Sequence, residues 1–315
     1  RTQDLGGGFT VRRLLPAARQ RSVGPFIFFD HFGPVTERPE DNHDVRPHPH
    51  IGLATVTYLF EGAMMHRDSL GTVQQIEPGA INWMTAGRGI THSERRPDTL
   101  KTSPYVNHGL QLWAALPQAQ EEAAPAFTHT PAHAIPEVTV DGVTVRVLIG
   151  EAFGQRSPVA TFAPTLYLDI QLPAGAVVHL PELAQEMAVH GVSGDVMLGT
   201  DAVPVHTMGV LAQGGIDLVA TGQQGARVVV IGGDALDGPR HMWWNFVSSR
   251  KERIVQAAAE WEAGRFEGVP GETEFIPLPE HRFTPWARVK SPQRGEFGLA
   301  VSYNGSHVRP LAPPH

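Results

Sequence analysis

Two short runs, His48-Pro49-His50 and His92-Ser93-Glu94, each set two metal-ligand side chains at an i, i+2 spacing inside sequence that reads as β. On a strand, side chains i and i+2 leave the same face, so each run aims both of its ligands one way. Two such strands facing across a barrel would bring four ligands to one point. Three imidazoles and one carboxylate make a transition-metal site. On an octahedral ion they leave two positions for a substrate oxygen and for dioxygen or water, the arrangement of non-haem iron chemistry and not of a closed structural zinc. A His-x-His pair alone is equally a polar strand face, and a chain with 16 His produces some by chance, so the surrounding elements have to carry the assignment.

Those elements are consistent with it. The first pair runs into Ile51-Gly52-Leu53-Ala54-Thr55-Val56-Thr57-Tyr58-Leu59-Phe60-Glu61-Gly62, a β-branched and aromatic stretch that ends at a turn. The second pair follows Glu77-Pro78-Gly79, the apolar run Ala80-Ile81-Asn82-Trp83-Met84 and the Gly-rich bend Gly87-Arg88-Gly89. Together they read as strand, turn, strand, turn, strand, with the ligand pairs at strand ends near one barrel mouth.

Several of these stretches carry a family resemblance. His48-Pro49-His50-Ile51-Gly52, Tyr58-Leu59-Phe60-Glu61-Gly62 and Met84-Thr85-Ala86-Gly87-Arg88-Gly89-Ile90-Thr91-His92-Ser93-Glu94 resemble the pirin family of the cupin superfamily. So do Asp30-His31-Phe32-Gly33-Pro34, Gly109-Leu110-Gln111-Leu112-Trp113 and Pro270-Gly271-Glu272-Thr273-Glu274-Phe275-Ile276-Pro277-Leu278-Pro279. The likeness spans about residues 5–280, and the string over 84–94 is its most specific part. It implies an all-β bicupin, two antiparallel β-barrel (jelly-roll) domains with a short C-terminal helix, and one Fe(II)-type ion in the first barrel. Carried over motif by motif, the ligands fall on His48, His50, His92 and Glu94. Some members, bacterial ones included, open flavonols such as quercetin with dioxygen; others are described as cofactors of transcription regulators or as binders of metabolic enzymes.

Composition agrees and excludes little. A chain of 315 residues exceeds what one core usually fills, and 33 Gly and 27 Pro with 18% charged residues favour a turn-rich β protein. A formal charge of −7 and a pI near 6.1 argue against a general nucleic-acid footprint, so direct nucleic-acid binding is not expected. The absence of Cys removes disulfides, thiolate ligands and Cys nucleophiles together. No apolar stretch approaches a membrane span and no signal peptide is visible, although a chain that starts at Arg1 leaves room for a trimmed leader; cytoplasm is the expected compartment.

The expected division is 1–123 for the metal-binding domain, 124–281 for a second cupin domain, and 282–315 for an extension of no recognised role. Residues 117–136 read as a surface connector. After them Val138-Thr139-Val140-Asp141-Gly142-Val143-Thr144-Val145 is a hairpin signal, and the later β runs repeat the first block. The repeat has no His-x-His and no His-x-Glu, so His179, His190 and His206 are expected to be structural or exposed. A helix is expected near 248–263, with a Ser cap, a capping-box Glu, and Ile254, Ala257, Ala258 and Trp261 on its buried face.

Charge counting supplies the mechanism. A divalent ion with three neutral imidazoles and one carboxylate stays net positive and favours an oxyanion such as a deprotonated flavonol, and Glu94 is a candidate both for ligand and for the base that takes the substrate proton, against a ligating carboxylate that simply stays bound. Asp30, His31, His66 and Gln111 are candidates to support the ligands, against a turn cap for Asp30, strand packing for Gln111 and a surface turn for His66; the surface turn is the favoured reading of His66. Phe28, Phe29, Trp83 and Trp113 are candidate pocket walls, with plain core as the commoner role. Two functions share this site. One is a quercetin-cleaving dioxygenase taking a small aromatic substrate and dioxygen, and the other is a metal- or redox-dependent regulatory protein with a protein partner and no turnover. A wide, apolar mouth favours the first.

Overall fold

The computed structural model describes residues 2–4 and 9–283. The expected extension over 282–315 falls outside the described residues from 284 onward. Four larger sheets account for most of the rest, and Lys251–Glu262 is the one α-helix among the described residues. No helix there is long and apolar enough to cross a membrane.

In the first half a seven-stranded sheet carries, in spatial order, Thr2–Asp4, Thr10–Leu15, Phe26–Glu37, Tyr105–Ala115, Leu53–Glu61, Ile81–Thr85 and Ala126–Thr130. A four-stranded sheet of Val45–His50, Ile90–Arg95, Met64–Asp68 and Val73–Ile76 covers one of its faces. The second half repeats the plan. A six-stranded sheet runs Glu137–Val140, Val143–Ile149, Thr165–Leu172, Ala226–Gly233, Glu186–Ser193 and Met208–Val210, and a four-stranded sheet runs Val177–Leu180, Ile216–Ala220, Val196–Leu198 and Asp201–Val203. The strand pairing leaves open sheets facing one another, so the closed barrels implied by the resemblance are not seen as such.

Strand periodicity decides what each face does. Along Leu53–Glu61 every residue but the last is buried, because both faces are covered. Ala54, Val56, Tyr58 and Phe60 meet Tyr167, Val229 and Ile231 of the six-stranded sheet in a core shared by the two halves. Leu59 turns the other way and packs with Ile76. A second core lies inside the C-terminal half, built from Val145, Leu168, Val178, Leu180, Leu198 and Leu218.

Three expectations need correction. The ligand strands Val45–His50 and Ile90–Arg95 do not face each other across an interior; they are antiparallel neighbours, with His48 opposite His92. The segment 117–136 is not only connector, since Ala126–Thr130 pairs with Ile81–Thr85 as an edge strand. The helix begins at Lys251 with no side-chain cap. Ser248 and Ser249 are instead drawn to Glu121, which accepts both hydroxyls and the Ser249 N–H, so neither serine caps the helix. Its apolar face is as expected: Ile254 and Ala257 are buried against Ile51 and Phe246, with Ala258 and Trp261 at the margin. The hairpin at Asp141-Gly142 is also as read, with φ of 50° and 79° at the two turn residues, the left-handed pair that such a tight turn requires.

Candidate metal centre

The four-stranded sheet of the first half places the site. His48 and His92 stand opposite each other in register, and His50 follows two residues along on the same face. Their ring centroids are 4.4 to 5.1 Å apart, and one ring nitrogen from each lies within 4.8 Å of the others. All three are buried. Burial pushes the His48 imidazole down to about 4 and lowers His50 and His92 well below the ordinary value, so all three are neutral and carry a lone pair at neutral pH.

Hydrogen bonds decide which nitrogen that is. His48 Nδ1 donates to the Arg46 carbonyl at 2.8 Å, and His50 Nδ1 donates to the Asn245 carbonyl at 3.2 Å. Each therefore keeps its lone pair on Nε2, and His50 Nε2 faces His92 Nε2 at 3.2 Å. Lone pairs converging from neutral imidazoles suit a divalent transition metal, so the residues fit the group that the sequence implies. The Asn245 carbonyl comes from the C-terminal half, in the hairpin of His241–Trp243 and Phe246–Ser248. That hairpin packs so closely on the turn after His50 that a Cβ at Gly52 would sit 1.9 Å from the Val247 carbonyl oxygen, and Gly52 has φ of 71°. Only glycine meets both demands.

Glu94 stands outside the three-histidine group. Its carboxyl is pushed up to about 7 by burial, against the lowering effect of the Gln111 amide, which donates to it at 3.3 Å. The Thr57 hydroxyl donates to the Gln111 oxygen at 2.7 Å and so fixes which end of that amide faces Glu94. Gln111 therefore supports the site.

His48, His50 and Glu94 open onto a cavity of about 1070 Å³, while His92 lies behind them. Phe28 and Trp113 form one wall, stacked at 3.9 Å and 10° from parallel, with Trp113 edge-on to His50 at 5.1 Å. The Arg13 guanidinium sits 4.2 Å from the Phe28 ring centre and makes a two-pronged ion pair with Asp30. Trp244 and Met242 reach the cavity from the second half, and Glu274 and Ile276 come from the segment that follows the helix. This segment is tied to both ligand strands: Ile276 N–H donates to the Pro47 carbonyl at 2.8 Å, and Glu272 accepts from Ser93 and Arg95.

The other nominated residues divide by strand parity. Asp30 lies mid-strand, not at a turn, and faces the cavity without touching a ligand histidine. His31 points the opposite way, into the junction of the halves, where it contacts His190 and His108 at 2.9 Å each. Phe29 and Trp83 go to the shared core, as Phe28 and Trp113 do not. His66 is not on a surface turn. It is buried, with its ring stacked on Phe127 and Nδ1 3.4 Å from His92 Nδ1. Sequence reasoning passed over Arg13, Asn245 and Asp68; only Asp68 had a usable signal, the His66-Arg67-Asp68 spacing.

The second half has no such centre among the described residues. His179 pairs in register with Asp217, and both are exposed. The inward positions beside them are Val178, Leu180 and Leu218, which fill the space with aliphatic side chains.

A β-sandwich repeated in tandem, with a buried histidine cluster in one copy that could hold a metal ion, is a cupin-type arrangement. The N-terminal half matches the family model described as Pirin over residues 8–114, and the C-terminal half matches the Pirin C-terminal cupin domain over 167–267. The chain belongs to the pirin family. It is 44% identical to a pirin-like protein of Caulobacter vibrioides over 89% of this chain and 97% of that one. A Pseudomonas aeruginosa protein named "Putative quercetin 2,3-dioxygenase" is 38% identical over 84% of this chain and 82% of its own. Among solved structures, a quercetin 2,3-dioxygenase from Acinetobacter baumannii superposes with a TM-score of 0.83 at 34% identity, covering 90% of this chain and 94% of that one.

Proposed function

We propose that this chain is a mononuclear non-haem dioxygenase that opens flavonols such as quercetin, with one divalent ion held by His48, His50, His92 and Glu94. The observation that carries the reading is the buried three-histidine group opening onto a cavity of about 1070 Å³ with a stacked aromatic wall. That volume is at the upper end of what small-molecule sites enclose and is ample for a planar tricyclic ligand. The division into cupin domains over 1–123 and 124–281 belongs to the same reading, although the strand Ala126–Thr130 pairs into the sheet of the first half.

The ion, Fe(II) in this proposal, supplies a Lewis-acidic and redox-active centre for dioxygen chemistry. The chain's residues do the rest. His48 and His50 are held in one tautomer by backbone carbonyls and cannot turn their lone pairs away. Phe28 and Trp113, stacked on each other and covered by the Arg13 guanidinium, form an aromatic, positively charged wall beside which a planar substrate packs. Glu94, oriented by the Gln111 amide, takes the proton of the substrate hydroxyl. Met242, Trp244 and Ile276 line the same cavity.

The test is incubation of the iron-loaded protein with quercetin in air and under anaerobic conditions. Loss of the flavonol's visible absorbance with carbon monoxide release, in air only, is expected. A fully loaded protein that leaves quercetin intact would overturn the enzyme reading in favour of a regulatory metal protein.

A further inference from the structure

Besides the two ligand pairs, the four-stranded sheet carries a third i, i+2 pair on the same face. In the strand Met64–Asp68, His66 lies opposite Glu94 and Asp68 lies opposite His92. Asp68 is buried and accepts three hydrogen bonds: from His66 Nε2 at 2.8 Å, and through its other oxygen from the N–H groups of Leu70 and Thr72 at 2.9 and 3.1 Å. The turn after the strand is thus wound around this carboxylate. With the Nε2 proton directed at Asp68, His66 presents Nδ1 as the acceptor towards His92, whose Nδ1 lies 3.4 Å away. His92 then carries its proton on Nδ1 and its lone pair on Nε2, the nitrogen that faces His50. Among the described residues His92 has no backbone carbonyl doing for it what Arg46 and Asn245 do for His48 and His50.

We propose that Asp68 and His66 form a relay that fixes the tautomer of His92 and makes it a stronger donor to the ion. The inference rests on the reading of His48, His50 and His92 as metal ligands. His66 and Asp68 are positioning residues: they act through His92. A carboxylate hydrogen-bonded to a ligating imidazole orients the ring and raises its basicity, and here one further imidazole transmits the effect. Phe127 stacks on the His66 ring at 4.3 Å and so restrains its orientation.

The experiment compares zinc affinity by chelator competition in the full chain and in Asp68→Asn, His66→Phe, His66→Gln and His92→Ala. It is paired with nitrogen-15 NMR of labelled imidazoles, which reads the His92 tautomer independently of turnover. Asn at 68 keeps an oxygen for the Leu70 and Thr72 N–H groups, and Phe at 66 keeps the stack on Phe127 and leaves the Asp68 turn untouched, so folding survives in at least one of the two. Zinc affinity is expected to fall about 10- to 100-fold in Asp68→Asn and His66→Phe, with the His92 proton no longer confined to Nδ1. His66→Gln, whose amide oxygen can accept that proton, is expected to recover part of the loss. Wild-type affinity and an unchanged tautomer in Asp68→Asn and His66→Phe, alongside lost zinc in His92→Ala, overturn the relay alone. Unchanged zinc in His92→Ala overturns the metal reading and the relay with it.

Discussion

Replacing Glu94 by Gln reverses the sense of a hydrogen bond at one atom while nearly conserving volume. Thr57 holds the Gln111 oxygen, so the Gln111 amide N–H faces position 94. A Gln there must present its carbonyl oxygen to Gln111 and turn its NH2 to the place of the second carboxylate oxygen. That place loses both its negative charge and its ability to accept a proton. Loss of a positioned base typically costs about 100- to 10,000-fold, which is about 3 to 5.5 kcal/mol of transition-state stabilisation. Metal affinity should fall less steeply, since three histidines and an amide oxygen remain. The assay is flavonol cleavage per bound ion, with metal content measured on the same samples so that occupancy and chemistry are separated. A fully loaded Gln variant that turns over at near the wild-type rate would refute the assignment of Glu94 as proton acceptor.

Two further predictions concern the junction of the halves. The Tyr58 hydroxyl donates to Asp169 at 2.5 Å and accepts from Arg146 at 3.1 Å, while Arg227 also holds Asp169. Tyr58→Phe should cost about 1.5 to 3 kcal/mol and lower the thermal midpoint by several degrees at unchanged metal content, as calorimetry would read; an unmoved midpoint would count against this contact as a brace. His108 and His190 lie in the same junction, lowered to about 4 and about 3 by burial; the Arg227 charge adds to the shift of His108, whereas the Thr207 carbonyl that His190 donates to opposes that of His190. Unfolded, both return to about 6.5, so below that pH the unfolded chain binds more protons and stability is lost as pH falls towards the native values, at up to about 1.4 kcal/mol per pH unit for each. Urea midpoints at pH 7.5 and 5.0 should differ in that direction, and equal midpoints would contradict the neutral, buried state of these imidazoles.

What was legible in the sequence was whatever rested on strand parity and turn chemistry. His48, His50 and His92 converge because side chains two apart share a face, and the Asp141-Gly142 hairpin forms because those residues accept positive φ. Neighbour relations between strands were not legible: nothing local distinguishes ligand strands that face each other from strands that pair. Parity without an absolute face also explains the mixed outcome for the aromatics, since Phe28 and Phe29 are adjacent and must part company, one to the cavity and one to the shared core. The carbonyl of Asn245 acts on His50 from 195 residues away, and a backbone group carries no residue-type signal at all. The turn beside His66 reads as surface in the sequence, whereas the hairpin tip folds the Asp68 carboxylate inward to His66, whose ring stacks on Phe127.

The most direct measurement is the metal content of the purified, reconstituted chain and of its His50→Ala and His92→Ala variants, taken by elemental analysis with circular dichroism as the check on folding. One divalent ion per chain in the parent, a sharp loss in both variants, and unchanged β signal are the predicted results, because the aliphatic core of the second half and the core shared by the halves do not involve either residue. Both variants remaining fully loaded would contradict the placement of the metal centre.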